Sequence, residues 1–270
     1  MDETIISLEH LRKCYGRHEV LSDVSMEIEK GEIYGLIGAN GSGKTTIFKI
    51  LLGLSEYQDG KIRIGLPGDS LEKGRSRTGF FVGQNFFPYL DGRKNLEYYA
   101  RLKDVKDREQ EIARVLGLVG LAGVKTAVKG YSLGMRQRLG IANAMLGNPE
   151  IMIFDEPVNG LDPQGIADVR NLFQEINREY GTTIIISSHI LGELQNTASR
   201  FAILNRGRIV KVLSQADLAA DSSVIRLSVD DVRKAKEVLA REGIQVLKEK
   251  AENISLEDYY FEQIGGGEEK

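Results

Sequence analysis

The stretch Gly38-Ala39-Asn40-Gly41-Ser42-Gly43-Lys44-Thr45-Thr46 decides how this chain is read. An apolar run, Ile33 to Ile37, precedes it, and Ile47, Ile50, Leu51 and Leu54 follow on one helical face. Strand, glycine-rich loop and helix in that order is the arrangement a phosphate-binding P-loop needs. Gly38, Gly41 and Gly43 let backbone N–H groups close around phosphate oxygens with no Cβ in the way. The loop runs into a helix N-terminus, where unpaired N–H groups and the macrodipole favour an anion. Lys44 brings a point charge to the β- and γ-phosphates, and the Thr45 hydroxyl can ligate Mg²⁺. A nucleotide phosphate site is expected here.

Around that loop, 270 residues leave room for one large α/β domain and a small appendix. A chain with 41% hydrophobic and 28% charged residues is composed as globular proteins are, so disorder is not expected. The formal net charge of −3 argues against nucleic acid as the main partner. Cys14 is the single cysteine, which fits a reducing compartment and excludes an internal disulfide; it reads as a small filler residue. The opening Met1-Asp2-Glu3 is acidic and runs straight into a strand-like segment, so no signal peptide is expected. No stretch approaches the roughly 18 to 20 apolar residues that span a bilayer. Any membrane role is therefore expected through a partner.

Taken in order, Thr4 to Lys13 and Val20 to Glu29 read as strands, with Tyr15-Gly16-Arg17-His18 turning between them. Gly60 to Ile64 and Phe80 to Val82 are short strands, and the segment Gly65 to Thr78 between them reads as loop. From about Gly92 to Leu146 the period is helical. Asp107 is the expected cap of one helix, and Ser132 opens another that buries Leu139, Ala142 and Met145. Ile151 to Phe154 and Thr182 to Ser188 read as buried parallel strands. Asp162-Pro163 starts a helix, and Phe201 to Leu204 with Arg208 to Leu213 form a hairpin. In the tail, Ile225 to Val229 and Ile244 to Lys248 read as strands. Between them runs a helix capped at Asp230 or Asp231, with Val232, Ala235, Val238 and Leu239 inward and Gly243 at its end. Ser255 with Asp258 suggests a last short helix.

Asp155 and Glu156 follow the apolar strand Ile151 to Phe154. A buried strand that delivers a carboxylate beside a P-loop supplies a direct or outer ligand for Mg²⁺. Glu156 is then placed to take a proton from an attacking water, a role worth roughly 10²- to 10⁴-fold in rate.

The ordered set Gly38 to Thr46, Gln84, Tyr131-Ser132-Leu133-Gly134-Met135-Arg136-Gln137-Arg138-Leu139, Asp155-Glu156-Pro157, Asn159-Gly160-Leu161-Asp162-Pro163 and His189 resembles the ATPase subunit of an ABC transporter. The resemblance covers about residues 4 to 213 and is strongest to the bacitracin and lantibiotic self-protection exporters. It implies an α/β fold: a P-loop NTPase core with a mixed sheet, an N-terminal antiparallel β-subdomain and a helical signature subdomain at about residues 92–147. The ATPase domain would span 1–220, a small α+β appendix 221–264 and a disordered tail 265–270.

The same resemblance implies roles for residues. Tyr15 would stack on adenine, whose faces any aromatic ring can meet. Asn40, Gly41, Ser42 and Thr46 would line the triphosphate with Lys44. Gln84 would sense Mg²⁺ and the attacking water, and His189 would contact the γ-phosphate and steady Glu156. Ser132 and Gly134 would reach the nucleotide of a second ATPase subunit in a head-to-tail sandwich, a homodimer in the simplest case. Asp162 would lie in the loop between the two sites. Asn85 to Tyr89 would face a transmembrane permease subunit, which places the chain in the cytoplasm on the inner face of the membrane. The expected cofactors are ATP and Mg²⁺, the expected work is export, and nucleic acid is no partner.

The signature departs from the common Leu-Ser-Gly-Gly-Gln, since Tyr131, Leu133 and Met135 stand in place of Leu, the first Gly and Gln. Met135 cannot hydrogen-bond a ribose as Gln does. Soluble relatives in DNA repair carry long coiled-coil insertions, and those in translation usually carry two ATPase units; this chain has neither. A nucleotide-gated scaffold without hydrolysis tends to lose the base, and Glu156 is present.

Overall fold

The structure is a computed structural model that describes residues 3–83, 86–220, 231–244 and 246. It divides into two units, Met1–Ala219 and Ala220–Lys270. In the first, Thr78–Phe81 (β5), Ile151–Asp155 (β6), Thr183–Ser188 (β7), Ile33–Ile37 (β3) and Arg200–Asn205 (β8) lie side by side in that order, all parallel. Arg208–Ser214 (β9) closes one edge antiparallel to β8. Every residue of β3 is buried, as a continuous apolar run covered on both faces should be. The register matters most at β7, which lies between β6 and β3. Asp155 stands opposite Ser187 and Ile37 opposite Ser188. The loop after β3 and the carboxylates at the end of β6 therefore emerge together at the C-terminal ends of the parallel strands.

Thr4–Tyr15 (β1), His18–Glu29 (β2) and Asp59–Ile64 (β4) form a separate antiparallel sheet in the order β2-β1-β4. Its inward residues, Leu8, Val24 and Met26 among them, share one buried cluster with Ile47, Phe48 and Leu51 of the helix Lys44–Leu51 (α1) and with Tyr34 and Leu36 of β3. The alternate residues of the same strands, Ile33, Ile37, Met152 and Phe154, point into a second cluster, because successive side chains leave a strand on opposite faces. That cluster is completed by the helices Gly92–Leu102 (α3), Arg108–Leu118 (α4), Leu133–Met145 (α5) and Pro163–Tyr180 (α6). A large side chain fully buried in either cluster contributes about 1.5 to 3 kcal/mol.

Three expectations need correction. The segment Gly65 to Thr78 holds a helix, Leu71–Ser76 (α2), capped by Ser70, whose Oγ accepts the Lys73 N–H at 3.2 Å; its six residues are too few and too charged to show a helical period. Asp107 precedes α4 but makes no side-chain cap, because its backbone is left-handed with φ 48°. In the second unit, Asp231 does cap the helix Val232–Arg241, yet Val232 and Val238 are half exposed. The tail strands expected at 225–229 and 244–248, the last helix from Ser255 and the tail 265–270 lie essentially outside the described residues.

Candidate functional site

At the glycine-rich loop, Lys44 Nζ donates to the carbonyls of Gly38 at 2.6 Å and Ala39 at 3.3 Å, and lies 3.1 Å from Glu156 Oε1. The helix α1 begins at Gly43, whose φ of 113° suits glycine; a Cβ there would stand 2.6 Å from Leu21 Cδ2. No side chain caps α1 and its first turn carries no acid. Its leading N–H groups are thus left for an anion. Ser42 Oγ is buried with no hydrogen-bond partner, a second polar group facing the loop interior without a mate in the chain.

The carboxylates at the end of β6 are held from α1 and from the end of β7. Thr45 Oγ1 donates to Asp155 Oδ2 at 2.6 Å, and Ser187 Oγ donates to Asp155 Oδ1 at 2.6 Å. The same Ser187 oxygen accepts the Glu156 N–H at 2.9 Å. His189 Nδ1 lies 2.7 Å from Glu156 Oε2. Glu156 sits in the left-handed region with φ 52°, a conformation that costs a residue with a side chain on the order of 1 to 3 kcal/mol. That turn brings its carboxylate back over Lys44 instead of out along the strand. A hydroxyl and a carboxylate oxygen side by side are hard donors suited to Mg²⁺, which needs only one or two protein carboxylates when phosphates complete its shell. Among the described residues no group of three or more His, Cys, Asp or Glu is placed to hold a metal ion.

The other candidates fall into two groups. Asn40 and Gly41 are exposed on the loop, and Thr46 follows Thr45 in α1. Tyr15 is half exposed; its hydroxyl lies 3.3 Å from Ser55 Oγ and the Lys13 ammonium sits 4.6 Å from its ring centre. Gln84 lies outside the described residues. Among the described residues, the side chains of Ser132 and Asp162 bond at their own helix starts and not to the loop. Ser132 caps α5, accepting the Met135 N–H at 3.2 Å, and Asp162 caps α6, accepting the Gly165 N–H at 2.9 Å. They meet each other's neighbourhood instead: a Cβ on Gly134 would lie 3.6 Å from Leu161 Cδ2, and one on Gly160 would lie 2.9 Å from Leu133 Cδ2.

This geometry has known counterparts. The ABC transporter family matches residues 21–159. The bacitracin transport ATP-binding protein of Enterococcus faecalis is 32% identical over 302 residues, covering 98% of this chain and 98% of that protein. The chain belongs to the ABC transporter family. The lantibiotic transport ATP-binding protein of Streptococcus pyogenes is 39% identical over 211 residues, covering 76% of this chain and 89% of its own. Among solved structures, a dimeric ATP-binding cassette bound to ADP and Pi superposes with a TM-score of 0.68 at 25% identity, covering 78% of this chain and 98% of its own.

As an ABC transporter ATP-binding subunit, the chain has the glycine-rich loop Gly38 to Thr46 with an acidic pair fixed beside it. Sequence reasoning missed Ser187. Its signal is a hydroxyl at the end of the apolar run Ile184 to Ile186, at the level where the neighbouring strand turns acidic. Without the strand order, nothing marks that hydroxyl as facing Asp155.

Proposed function

We propose that this chain hydrolyses ATP with Mg²⁺ and drives export through a transmembrane permease subunit. The observation that carries the reading is the linked set Thr45–Asp155–Ser187 and Lys44–Glu156–His189, in which each side chain is hydrogen-bonded or ion-paired to a neighbour. The loop N–H groups and Lys44 bind and orient the triphosphate, and Thr45 with Asp155 would hold Mg²⁺. The metal, when bound, neutralises charge between the β- and γ-phosphate oxygens. Glu156 Oε1 takes the proton of the attacking water, and His189 keeps the carboxylate aimed. Tyr15 offers its half-exposed ring to adenine. Gln84 is assigned to the Mg²⁺ and water side of the site.

Ser132 and Gly134 are assigned to the nucleotide of a second copy. Ser132 is exposed, and the chain's own loop does not meet it. The dimeric relative bound to ADP and Pi supports this arrangement, with Asp162 on the loop between the two sites. The membrane partner is assigned to the segment after β5. There Phe87 and Tyr89 are 42% and 80% exposed, while Phe86 turns inward onto Phe81 with 6.3 Å between ring centres. Exposed aromatics of that size suit a docking groove. Among the described residues no helix is long and apolar enough to cross a membrane, so such a partner would supply the span and hold the chain at the inner membrane face. Relatives that serve bacitracin and lantibiotic transport favour an antimicrobial peptide or drug as cargo.

The test is Glu156→Gln, which preserves size and hydrogen bonding but takes up no proton at neutral pH. ATP binding should persist while Mg²⁺-dependent phosphate release stalls. Near-normal phosphate release would remove Glu156 from its role.

A further inference from the structure

Tyr131 is one of the signature departures, and its phenol has a partner that leucine at this position could not have. The side chain is 4% exposed and its ring lies in the helical cluster. Its hydroxyl accepts the N–H of Gly92, the first residue of α3, at 3.2 Å. Its own N–H donates to Val128 O at 3.0 Å, and its carbonyl accepts from Arg136 Nη1 at 2.8 Å. Burial holds the phenol above its ordinary pKa, so it stays a neutral hydroxyl at working pH.

The segment on the far side of Gly92 is tied just as closely. Val128 N–H donates to Leu90 O at 2.9 Å and Lys129 N–H to Pro88 O at 2.8 Å. Asn95 is fully buried; its Oδ1 accepts the Phe87 N–H at 2.8 Å and its Nδ2 donates to Phe87 O at 3.1 Å and Asp91 O at 3.0 Å. Asp91 caps α3 through the Lys94 N–H at 2.8 Å. The aromatic segment, the start of α3 and the residues leading into Ser132 are thus joined by hydrogen bonds that leave little room to shift one without the others.

We propose that Tyr131 is a positioning residue: its hydroxyl, held by the Gly92 N–H, fixes the N-terminus of α5 against the segment Phe87–Asp91 and sets where Ser132 and Gly134 meet the nucleotide of a second copy. This rests on the shared-site reading above. A helix terminus that serves a ligand on another molecule has no ligand of its own to align it, so the alignment must come from its own scaffold. Small misplacements there are costly, because donor bonds to a phosphate weaken steeply with angle.

The experiment measures ATP-driven dimerisation by sedimentation velocity in the stalled Glu156→Gln background, with and without Tyr131→Phe. The single hydroxyl should be worth about 3- to 10-fold in the dimer dissociation constant, the size of one net hydrogen bond. ATP binding to the dilute monomer, which uses the loop around Lys44, should change by less than about twofold on the same scale. A second variant checks the contact itself. A Cβ on Gly92 would stand 2.7 Å from the Tyr131 hydroxyl, so Gly92→Ala should lower the melting temperature and Tyr131→Phe should restore part of it. An unchanged dimer constant, or a monomer affinity that falls in parallel with it, overturns the proposal. If Glu156→Gln alone forms no ATP dimer, the shared-site reading fails and takes this one with it.

Discussion

The loop around Lys44 and the start of α5 are both helix N-termini read as phosphate-facing, and they are built in opposite ways. At the loop, Lys44, Thr45, Asp155, Glu156, Ser187 and His189 hold one another through bonds of 2.6 to 3.1 Å. At α5, Ser132 bonds only within its own first turn, its Oγ accepting the N–H of Met135 and its carbonyl that of Arg136, and a Cβ on Gly134 would lie 3.6 Å from Leu161 Cδ2. Gly43 is glycine because the chain requires it, with φ 113° and Leu21 in the way. Among the described residues, a Cβ at position 134 would make only ordinary contacts. A closed constellation is explained from within one molecule; an open one asks what approaches from outside. The predictions below separate the two, and each would blur the contrast if it came out the other way.

The largest effect belongs to the closed site. Glu156→Gln should cut Mg²⁺-dependent ATP turnover by about 10²- to 10⁴-fold, the range for loss of a general base. Nucleotide affinity should hold, since Lys44 retains its bonds to Gly38 and Ala39. Phosphate release and nucleotide binding measured on the same preparation decide it.

Next comes the open site. Gly134→Asp sets a negative charge where a γ-phosphate is to arrive, and like charges brought together cost several kcal/mol. ATP-driven dimerisation should weaken by about 100-fold, as expected from that repulsion. Gly134→Ala is the sharper variant. The isolated chain should become slightly more stable, by at most about 1 kcal/mol, because alanine suits a helix better than glycine. Dimerisation should nonetheless fall. A variant that melts higher and dimerises worse marks a glycine kept for another molecule; if dimerisation is untouched, the open reading of α5 is wrong.

Ser187→Ala has a smaller effect on the closed site. It leaves Asp155 Oδ1 and the Glu156 N–H without their shared partner, at a cost of about 1 to 3 kcal/mol for buried polar groups. Turnover should drop about tenfold, equivalent to roughly one hydrogen bond in the barrier. Thermal melts should show the loss in the absence of nucleotide as well.

The sequence made the closed site largely legible because its parts sit in local patterns. Gly38 to Thr46 carries its own strand and helix, and Asp155-Glu156 ends an apolar run that can only be a buried strand. Ser187 was hidden because its role depends on β7 lying between β6 and β3, a pairing that no local pattern records. Likewise α2 is stabilised by its Ser70 cap and tertiary setting, since six residues are too short for helical periodicity to be seen. Asp107 misled because a capping residue type was read without its backbone, which is left-handed there. The open site was legible only by resemblance: the loop from Gly160 to Asp162 and the start of α5 are adjacent in space and about thirty residues apart in the chain. Tyr131 was visible only as a departure from the common signature, because its partner is a backbone N–H distant in the chain.

The smallest expected effect lies within the open site, at Met135. The side chain is partly buried against the helical cluster, and its backbone N–H donates to Ser132 Oγ. A thioether accepts hydrogen bonds weakly, so its contribution here is packing. Leucine replaces it with nearly equal volume, a swap that usually costs under about 1.5 kcal/mol. Met135→Leu should therefore shift the melting temperature only slightly. Its ATP dimer constant in the Glu156→Gln background should stay within about threefold of the parent, well inside that packing bound. Met135→Gln restores the common residue and supplies an amide. If it tightens the dimer while Met135→Leu is silent, position 135 faces the second nucleotide and this chain does without that contact. A loss of dimerisation in Met135→Leu as large as that in Gly134→Ala would instead mean that α5 meets its partner through packing, and Ser132 would lose its place at the centre of the open site.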